Sequence, residues 1–247
     1  MPDPHARHSH QHTDADSKTR QHWLASEWSF ISSALPPAPA RVLEIGCGTA
    51  GGIVPAALAA GYEAIGVDPR APEGSAYRQM PFESYEPPSS ISAVVSVQAL
   101  HHLADLDAAV ERIDRMLSSD AVLVIVEWAW EHIDEQTARW LFDRVPGEAN
   151  SGWAGERRDS WQASGLPWSE YRDRWAHEHG LHRWRQVESA LAGRFDTVLR
   201  EDVPSLFADV PEISQESERA AIAAGEISTT GVHWVGRRRT SATTSRS

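Results

Sequence analysis

The fold is decided by residues 42–51, Val42-Leu43-Glu44-Ile45-Gly46-Cys47-Gly48-Thr49-Ala50-Gly51, where an apolar strand runs into a glycine-rich turn. Glycine has no Cβ and adopts positive φ readily, so a turn with three glycines lets the backbone approach a ligand closely. In doubly wound α/β domains, the turn after the first strand binds nucleotide-like molecules. The stretch therefore predicts an α/β domain with an adenosine-containing ligand at this turn.

The acid in this stretch, Glu44, narrows the choice of ligand. A carboxylate at the end of the strand repels a diphosphate, whereas it attracts the ammonium group of an amino-acid-bearing cofactor such as S-adenosylmethionine. The glycines alone fit either ligand, and Gly46-x-Gly48-x-x-Gly51 with Asp68 downstream also meets the nicotinamide dinucleotide fingerprint. Glu44 makes S-adenosylmethionine the expected cofactor and a nicotinamide-dependent oxidoreductase the less favoured alternative.

The composition of the 247-residue chain favours one α/β domain that acts on a small molecule. Lys and Arg number 23 and Asp and Glu 35, and the net charge of −12 opposes binding to the polyanionic backbone of nucleic acids. Cys47 is the one cysteine, and no apolar run is long enough for a membrane span or a secretory signal. We expect a cytoplasmic monomer or homodimer that binds neither nucleic acid nor membrane.

The chain alternates strand-like and helical segments, which predicts a parallel sheet. Residues 1–20 lack apolar periodicity and are expected to form a flexible tail. The histidines of this tail match no metal-ligand spacing, so no metal site is predicted there; they are His5, His8, His10 and His12. Residues 21–37 are expected to form a lid helix that ends at two prolines, and residues 240–247 a loose tail. The core is expected at residues 38–130 and 183–239.

A tryptophan-rich segment interrupts the alternation at residues 131–182, just after the strand that ends near Val126. Seven of the 11 tryptophans lie between Glu127 and His182. Four tryptophans at helical positions are expected to build the aromatic core of a helical cap and its junction with the core: Trp140, Trp168, Trp175 and Trp184. The segment therefore predicts a cap inserted into the α/β core.

These motifs resemble those of class I S-adenosylmethionine-dependent methyltransferases that act on small molecules. The similarity rests on Glu44-x-Gly46-x-Gly48, on Asp68 at the end of the second strand, and on residues 98–105, Gln98-Ala99-Leu100-His101-His102-Leu103-Ala104-Asp105. It implies a Rossmann-like fold with a seven-stranded, mostly parallel sheet in the order 3-2-1-4-5-7-6, here with an α-helical cap insertion. It also implies that S-adenosylmethionine lies across the carboxyl ends of the first strands.

The resemblance assigns most of the cofactor contacts. Asp68 at a strand tip can accept two hydrogen bonds from a ribose diol. Glu44 is expected to act through a network toward the ammonium group. The usual adenine-binding acid is missing after the third strand, so Phe82 is expected to pack on the adenine and Glu83 to reach its amine. The complete cofactor-binding set is Glu44, Gly46, Cys47, Gly48, Gly51, Asp68, Pro69, Phe82, Glu83 and Gln98.

Candidate bases follow the fourth and fifth strands. His101 and His102 come after the fourth strand and Glu127 after the fifth, so these side chains are expected near the transferred methyl group. The same positions suit structural histidines that hold the loop. Proton removal by such a base would add about 10²- to 10⁴-fold to the rate.

The acceptor is expected to be a small aromatic or polycyclic metabolite, with oxygen slightly preferred over nitrogen or carbon as the methylated atom. Aromatic side chains suit a flat acceptor, and Arg157 or Arg158 can pair with its carboxylate or phenolate. The substrate-binding set is Trp23, Trp28, Trp128, Trp130 and Arg157. Specialised metabolism would fit such an acceptor. Two alternatives stay open: an enzyme of this fold that catalyses a cyclisation or rearrangement, and a non-catalytic cofactor-binding subunit.

Overall fold

The computed structural model describes residues 14–147, 152–208, 210 and 212–239. The four amino-terminal histidines and the predicted tail at residues 240–247 lie outside this range. The strands are β1 (Arg41–Ile45), β2 (Glu63–Val67), β3 (Tyr77–Arg78), β4 (Ile91–Val97), β5 (Leu117–Trp128), β6 (Phe195–Val203) and β7 (Gly231–Arg238). The helices are α1 (Asp14–Ala34), α2 (Val54–Ala59), α3 (Leu106–Met116), α4 (Glu135–Phe142), α5 (Gly152–Ser164), α6 (Trp168–Glu178), α7 (Trp184–Ala192) and α8 (Gln215–Ala223).

The seven strands form one sheet in the order β3-β2-β1-β4-β5-β7-β6, which confirms the predicted topology. Strands β1 to β5 are parallel, whereas β7 runs antiparallel between β5 and β6. The antiparallel β7 separates this sheet from the usual dinucleotide-binding order 3-2-1-4-5-6. The carboxyl ends of β1, β2, β4 and β5 therefore meet at one edge of the sheet.

Two apolar clusters cover the two faces of the sheet. Side chains alternate along a strand, so Val42 points to one face while Leu43 and Ile45 point to the other. The first face packs against α1, α2, α8 and helices of the cap, and the second against α3 and α7. Residues 122–126 of β5 are apolar at every position because both faces are buried there.

The first helix starts earlier than expected. Helix α1 begins at Asp14 rather than near Gln21, so residues 14–20, expected in a flexible tail, are helical. The sequence periodicity missed this extension because these residues carry no apolar stripe.

The cap consists of α4, α5 and α6, inserted between β5 and α7. Phe142, Trp161 and Trp168 pack edge-on or tilted with ring centres 5.1–5.8 Å apart. The Trp168 indole N–H donates to the carbonyl of Ile133 at 2.6 Å, which ties the cap to the end of β5. These aromatic side chains belong to the apolar cluster on the first face of the sheet, so the cap packs directly on the core rather than around a separate core. In the described ranges, no helix is both long and apolar enough to cross a membrane.

Candidate active site

A cavity of about 260 Å³ opens at the carboxyl ends of the parallel strands. Six of the expected cofactor-binding residues line it: Gly46, Asp68, Pro69, Phe82, Glu83 and Gln98. The rest of its lining comes from Ile45, Val67, Pro81, Ala99, His102 and Leu103. The lining contains two carboxylates and no Lys or Arg of the described part of the chain, which suits an adenosine-type ligand better than a diphosphate.

Asp68 is held at the tip of β2 by backbone hydrogen bonds. The amide of Gly48 donates to one carboxylate oxygen at 3.1 Å, and the amide of Arg70 donates to the other at 2.7 Å. Asp68 is half-buried, and each oxygen has a second lone pair for a further donor. Gly48 thus acts by orienting Asp68, and this geometry fits the expected contact with a ribose diol.

Glu44 lies beneath the glycine-rich turn rather than in the cavity lining. Its carboxylate is almost fully buried and accepts a hydrogen bond from the Ile53 amide at 2.8 Å. A Cβ on Gly52 would lie 2.1 Å from the carboxylate, so only glycine fits above it. Glu44 therefore fixes the turn, and its expected action on the ammonium group stays a prediction.

Two further residues of the turn have structural surroundings that the sequence did not indicate. A Cβ on Gly51 would lie 2.4 Å from the hydroxyl of Tyr77, a residue of β3 that covers the turn. Cys47 packs against Gly66, and its burial, together with the carboxylates of Glu44 and Asp68, raises the pKa of the thiol to about 12. Cys47 is consequently a neutral packing residue.

Gln98 has the left-handed backbone conformation, with φ of 49°. This conformation is unfavourable for a residue with a Cβ, and in a well-packed protein it is often found at functional sites. The Gln98 amide donates to the carbonyl of Val126 at 2.7 Å, which holds the end of β4 against β5. The strained residue lines the cavity, as the resemblance implied.

His101 and Glu127 form a buried pair, and their expected action as bases stays a prediction. The His101 Nδ1 and a Glu127 oxygen are 2.5 Å apart, and both side chains are nearly inaccessible to solvent. Glu127 also accepts hydrogen bonds from the amides of His101 and Trp128. Burial raises the pKa of Glu127, but the charge and hydrogen bond of His101 outweigh it and leave that pKa below its ordinary value.

His102 is the expected base that the structure places at the cavity. It is exposed and lines the cavity, and its ring centre lies 4.1 Å from that of His101. The pair of His101 and Glu127 thus anchors the loop that carries His102. Its role in proton removal stays a prediction.

Three half-buried tryptophans meet beside this loop. Trp128 at the end of β5, Trp153 of α5 and Trp175 of α6 pack with ring centres 5.1–6.2 Å apart. The Trp128 ring lies 6.1 Å from the ring of His101, the residue next to His102 of the cavity lining. We call these three residues the tryptophan cluster. Trp153 was not expected there, and Trp175 was expected in the cap core.

Two tryptophans that were expected to bind substrate are buried instead. Trp23 is 1% exposed in the core beneath α1, and Trp130 is 2% exposed. The Trp130 indole N–H donates to the carbonyl of His182, so this ring fastens the cap to the core. Neither ring is open to an acceptor, because each is enclosed by packed neighbours. Trp28 is half-buried against the core, and its role stays a prediction.

The two neighbouring arginines of α5 have different surroundings. Arg158 donates to the carbonyls of Val145 and Pro146 and pairs with Asp159, so it is a structural residue. The Arg157 guanidinium lies 5.3 Å from the ring centre of Trp175. Of the two candidates, Arg157 is therefore the one placed at the tryptophan cluster.

Another cleft, of about 300 Å³, lies near the amino end of β4 and the carboxyl end of α3. Its cations are already paired: Arg112 with Glu86 and the carbonyl of Tyr85, and Arg115 with Glu111. Ligands of parallel α/β sheets bind at the carboxyl ends of the strands. The cavity beside Asp68 is therefore the candidate site. No group of three or more potential metal-binding side chains occurs in the described part of the chain.

The chain matches the model of a family described as a methyltransferase domain over residues 17–166, which is more than half of its length. No curated protein matches it. Among solved structures it is similar to an S-adenosylmethionine dependent methyltransferase from Mesorhizobium loti, with 16% identity, 87% of this chain and 98% of that chain covered, and a TM-score of 0.53.

Two further solved structures have the same fold. Geranyl diphosphate C-methyltransferase from Streptomyces coelicolor A3(2) is 15% identical over 93% of this chain and 82% of that chain, with a TM-score of 0.52. Phosphoethanolamine N-methyltransferase 2 from Haemonchus contortus, solved in complex with S-adenosyl-L-methionine, is 16% identical over 94% of this chain and 59% of that chain, with a TM-score of 0.54.

The cavity residues fit the cofactor of this family, because Asp68 presents two oriented oxygens and Phe82 offers an apolar face beside it. The family match, the sheet order with antiparallel β7 and the cavity beside the glycine-rich turn lead to one conclusion. The chain belongs to the methyltransferase-domain family and is a class I S-adenosylmethionine-dependent methyltransferase.

Proposed function

We propose that the protein methylates a small aromatic or polycyclic metabolite, with oxygen as the favoured acceptor atom. The observation that carries this proposal is the tryptophan cluster, which contacts His101, the neighbour of the cavity residue His102. Its three half-buried rings offer apolar faces to a flat molecule. Its proximity to His101 and His102 would bring a bound acceptor next to the cavity.

S-adenosylmethionine supplies a methyl group on a sulfonium, so its leaving group is already activated. The protein's task is to hold the acceptor in line and to exclude water. The tryptophan cluster would orient the acceptor and exclude water from one side, and His102 would accept the proton of an acceptor hydroxyl. Oxygen acceptors benefit most from such a base because they carry an acidic proton.

The proposed role of the buried pair is to position His102. Glu127 accepts hydrogen bonds from the backbone amides of His101 and Trp128, so it links the loop after β4 to the end of β5. The carboxylate would thus hold His102 and Trp128 at a fixed distance and orientation to each other. Neither buried side chain needs to touch the acceptor for this role.

Calorimetric titration with S-adenosylhomocysteine tests the cofactor, and mass spectrometry of phenolic, amine and carbon acceptors tests the acceptor. We expect a methylated phenolic product. His102→Gln should lower kcat by about 10²-fold or more, whereas the control His177→Gln, at an exposed position of α6, should not. Tighter binding of a nicotinamide dinucleotide than of S-adenosylhomocysteine would refute the cofactor, and methylation of amines alone would refute the oxygen preference.

A further inference from the structure

Arg157 lies on the face of α5 that meets the tryptophan cluster. It is one helical turn after Trp153, and side chains four residues apart share a helix face. Its guanidinium lies over the ring of Trp175 on α6. The cation therefore lies against one ring of the tryptophan cluster, on the helix that carries a second ring, beside the surface proposed for the acceptor.

Arg157 differs from the other arginines of the cap in its hydrogen bonding. Its Nε is buried without a hydrogen-bond partner among the described residues, and none of them forms an ion pair with it. The remaining arginines of the cap helices and their connecting segments donate to carboxylates or carbonyls; they are Arg139, Arg144, Arg158, Arg172 and Arg174. A buried donor without a partner is unfavourable, so a hydrogen-bond acceptor on a bound ligand would offset this cost.

We propose that Arg157 binds the carboxylate of the methyl acceptor, so that the substrate is an aromatic monocarboxylic acid. The proposal rests on the proposed function and narrows its substrate class. A planar guanidinium binds a carboxylate through two parallel hydrogen bonds, which also fixes the orientation of the attached ring. The ring would then lie against the tryptophan cluster, with its nucleophilic atom directed to the cofactor cavity.

A single negative charge fits this site better than two. One guanidinium can neutralise one carboxylate, and the chain itself carries a net charge of −12. This field disfavours a dianion such as an aryl phosphate. The aromatic surface and Arg157, the one unpaired cation that the described residues place there, together specify a flat ring with one carboxylate.

Matched pairs of ligands separate the contribution of the carboxylate charge to binding from that of the aromatic ring. Benzoate, cinnamate, 1-naphthoate and indole-3-acetate, each with its neutral amide and with phenyl phosphate as a dianion, are titrated against protein saturated with S-adenosylhomocysteine. The readouts are tryptophan fluorescence and calorimetry. The variants are Arg157→Gln and Arg157→Lys, with Arg174→Gln as a control that removes an equal charge from an exposed position of α6.

We expect at least one carboxylate to bind about tenfold or more tightly than its amide, as a hydrogen bond to a charged group predicts. Arg157→Gln should abolish this preference, Arg157→Lys should retain part of it, and Arg174→Gln should leave it unchanged. Equal binding of acids and amides, absence of binding by every acid, an unchanged preference in Arg157→Gln, or tighter binding of phenyl phosphate would each overturn the proposal. Saturation with S-adenosylhomocysteine is checked first, so a failure of the cofactor assignment is seen separately.

Discussion

Replacing Gly52 with Ala tests how the glycine-rich turn is held. Gly52 has a φ of +57°, and a Cβ built on it would lie 2.1 and 2.2 Å from the two oxygens of Glu44. The backbone fixes the position of this Cβ, so the carboxylate of Glu44 must move. Because the carboxylate is buried and accepts the Ile53 amide, its displacement leaves a buried donor without its charged partner.

The expected loss of stability has two parts. Placing a non-glycine residue in the left-handed conformation costs about 1–2 kcal/mol. Losing a hydrogen bond to a charged group costs about 1.5–3 kcal/mol. We therefore expect Gly52→Ala to lower the free energy of unfolding by about 2.5–5 kcal/mol. This is a large part of the stability of a typical domain.

Gly165 provides a matched control for the conformational part. It has a φ of +65° in the connection between α5 and α6, and no atom lies within 4 Å of a Cβ built there. Gly165→Ala should therefore cost only about 1–2 kcal/mol. Urea unfolding followed by circular dichroism measures both values, and calorimetry with S-adenosylhomocysteine should show weaker binding for Gly52→Ala alone.

The double variant Glu44→Ala/Gly52→Ala isolates the contact itself. If the carboxylate causes the extra cost, the penalty of Gly52→Ala in the Glu44→Ala background should fall to the value of Gly165→Ala. Equal losses for the two single glycine variants, or an undiminished penalty without Glu44, would refute this account of the turn.

Three further predictions concern buried ionisable groups. The pKa of Glu127 lies below its ordinary value of 4.5 in the native state, so the ionised carboxylate contributes its full stabilisation above pH 4.5 and loses it as the pH falls through the native pKa. Glu127→Gln should therefore flatten the dependence of the urea midpoint on pH in that range. The exposed control Glu63→Gln should leave this dependence unchanged. Glu27 of α1 is 4% exposed and binds His233 of β7 at 2.6 Å, so Glu27→Gln should lower stability by about 1–3 kcal/mol, and a change as small as that of Glu63→Gln would contradict it. The thiol of Cys47, with its pKa raised to about 12, should resist iodoacetamide at pH 8 until urea unfolds the chain; rapid alkylation of the native protein would contradict its burial.

The sheet and the position of the cavity at the carboxyl ends of its strands were predictable because their signals are local in sequence. The glycine-rich turn and Asp68 each follow a strand whose apolar run is read directly, and parallel strands bring their carboxyl ends together. The start of α1 could not be predicted in this way, because its first turns lack an apolar stripe.

The direction of Glu127 shows why the catalytic candidates were harder to predict. Residues 121–126 are apolar throughout, so their pattern does not reveal which face of the sheet each side chain meets. In the structure, Val126 and Trp128 pack against the core on the side of the cap. Glu127 lies between them in β5, so its side chain points to the opposite face, where it pairs with His101. Two adjacent residues of β5 therefore have different surroundings: Glu127 belongs to the buried pair, and Trp128 to the tryptophan cluster.

The proposed acceptor surface required three-dimensional information. Trp128, Trp153 and Trp175 come from β5, α5 and α6, and tertiary packing alone brings their rings together. The sequence showed that tryptophans are abundant in this segment, but it did not separate the buried Trp130 and Trp168 from the half-buried ones.

The two halves of the site are held by different interactions, and this bears on how acceptor specificity can change. Glu44 and Asp68 bind backbone amides within residues 48–70, so the cofactor half is fixed by the core alone. Two rings of the tryptophan cluster, those of Trp153 and Trp175, belong instead to the cap helices α5 and α6. Because residues that share no contacts contribute nearly independently, we expect substitutions on the face of α5 that carries Trp153 and Arg157 to change acceptor binding without displacing the glycine-rich turn.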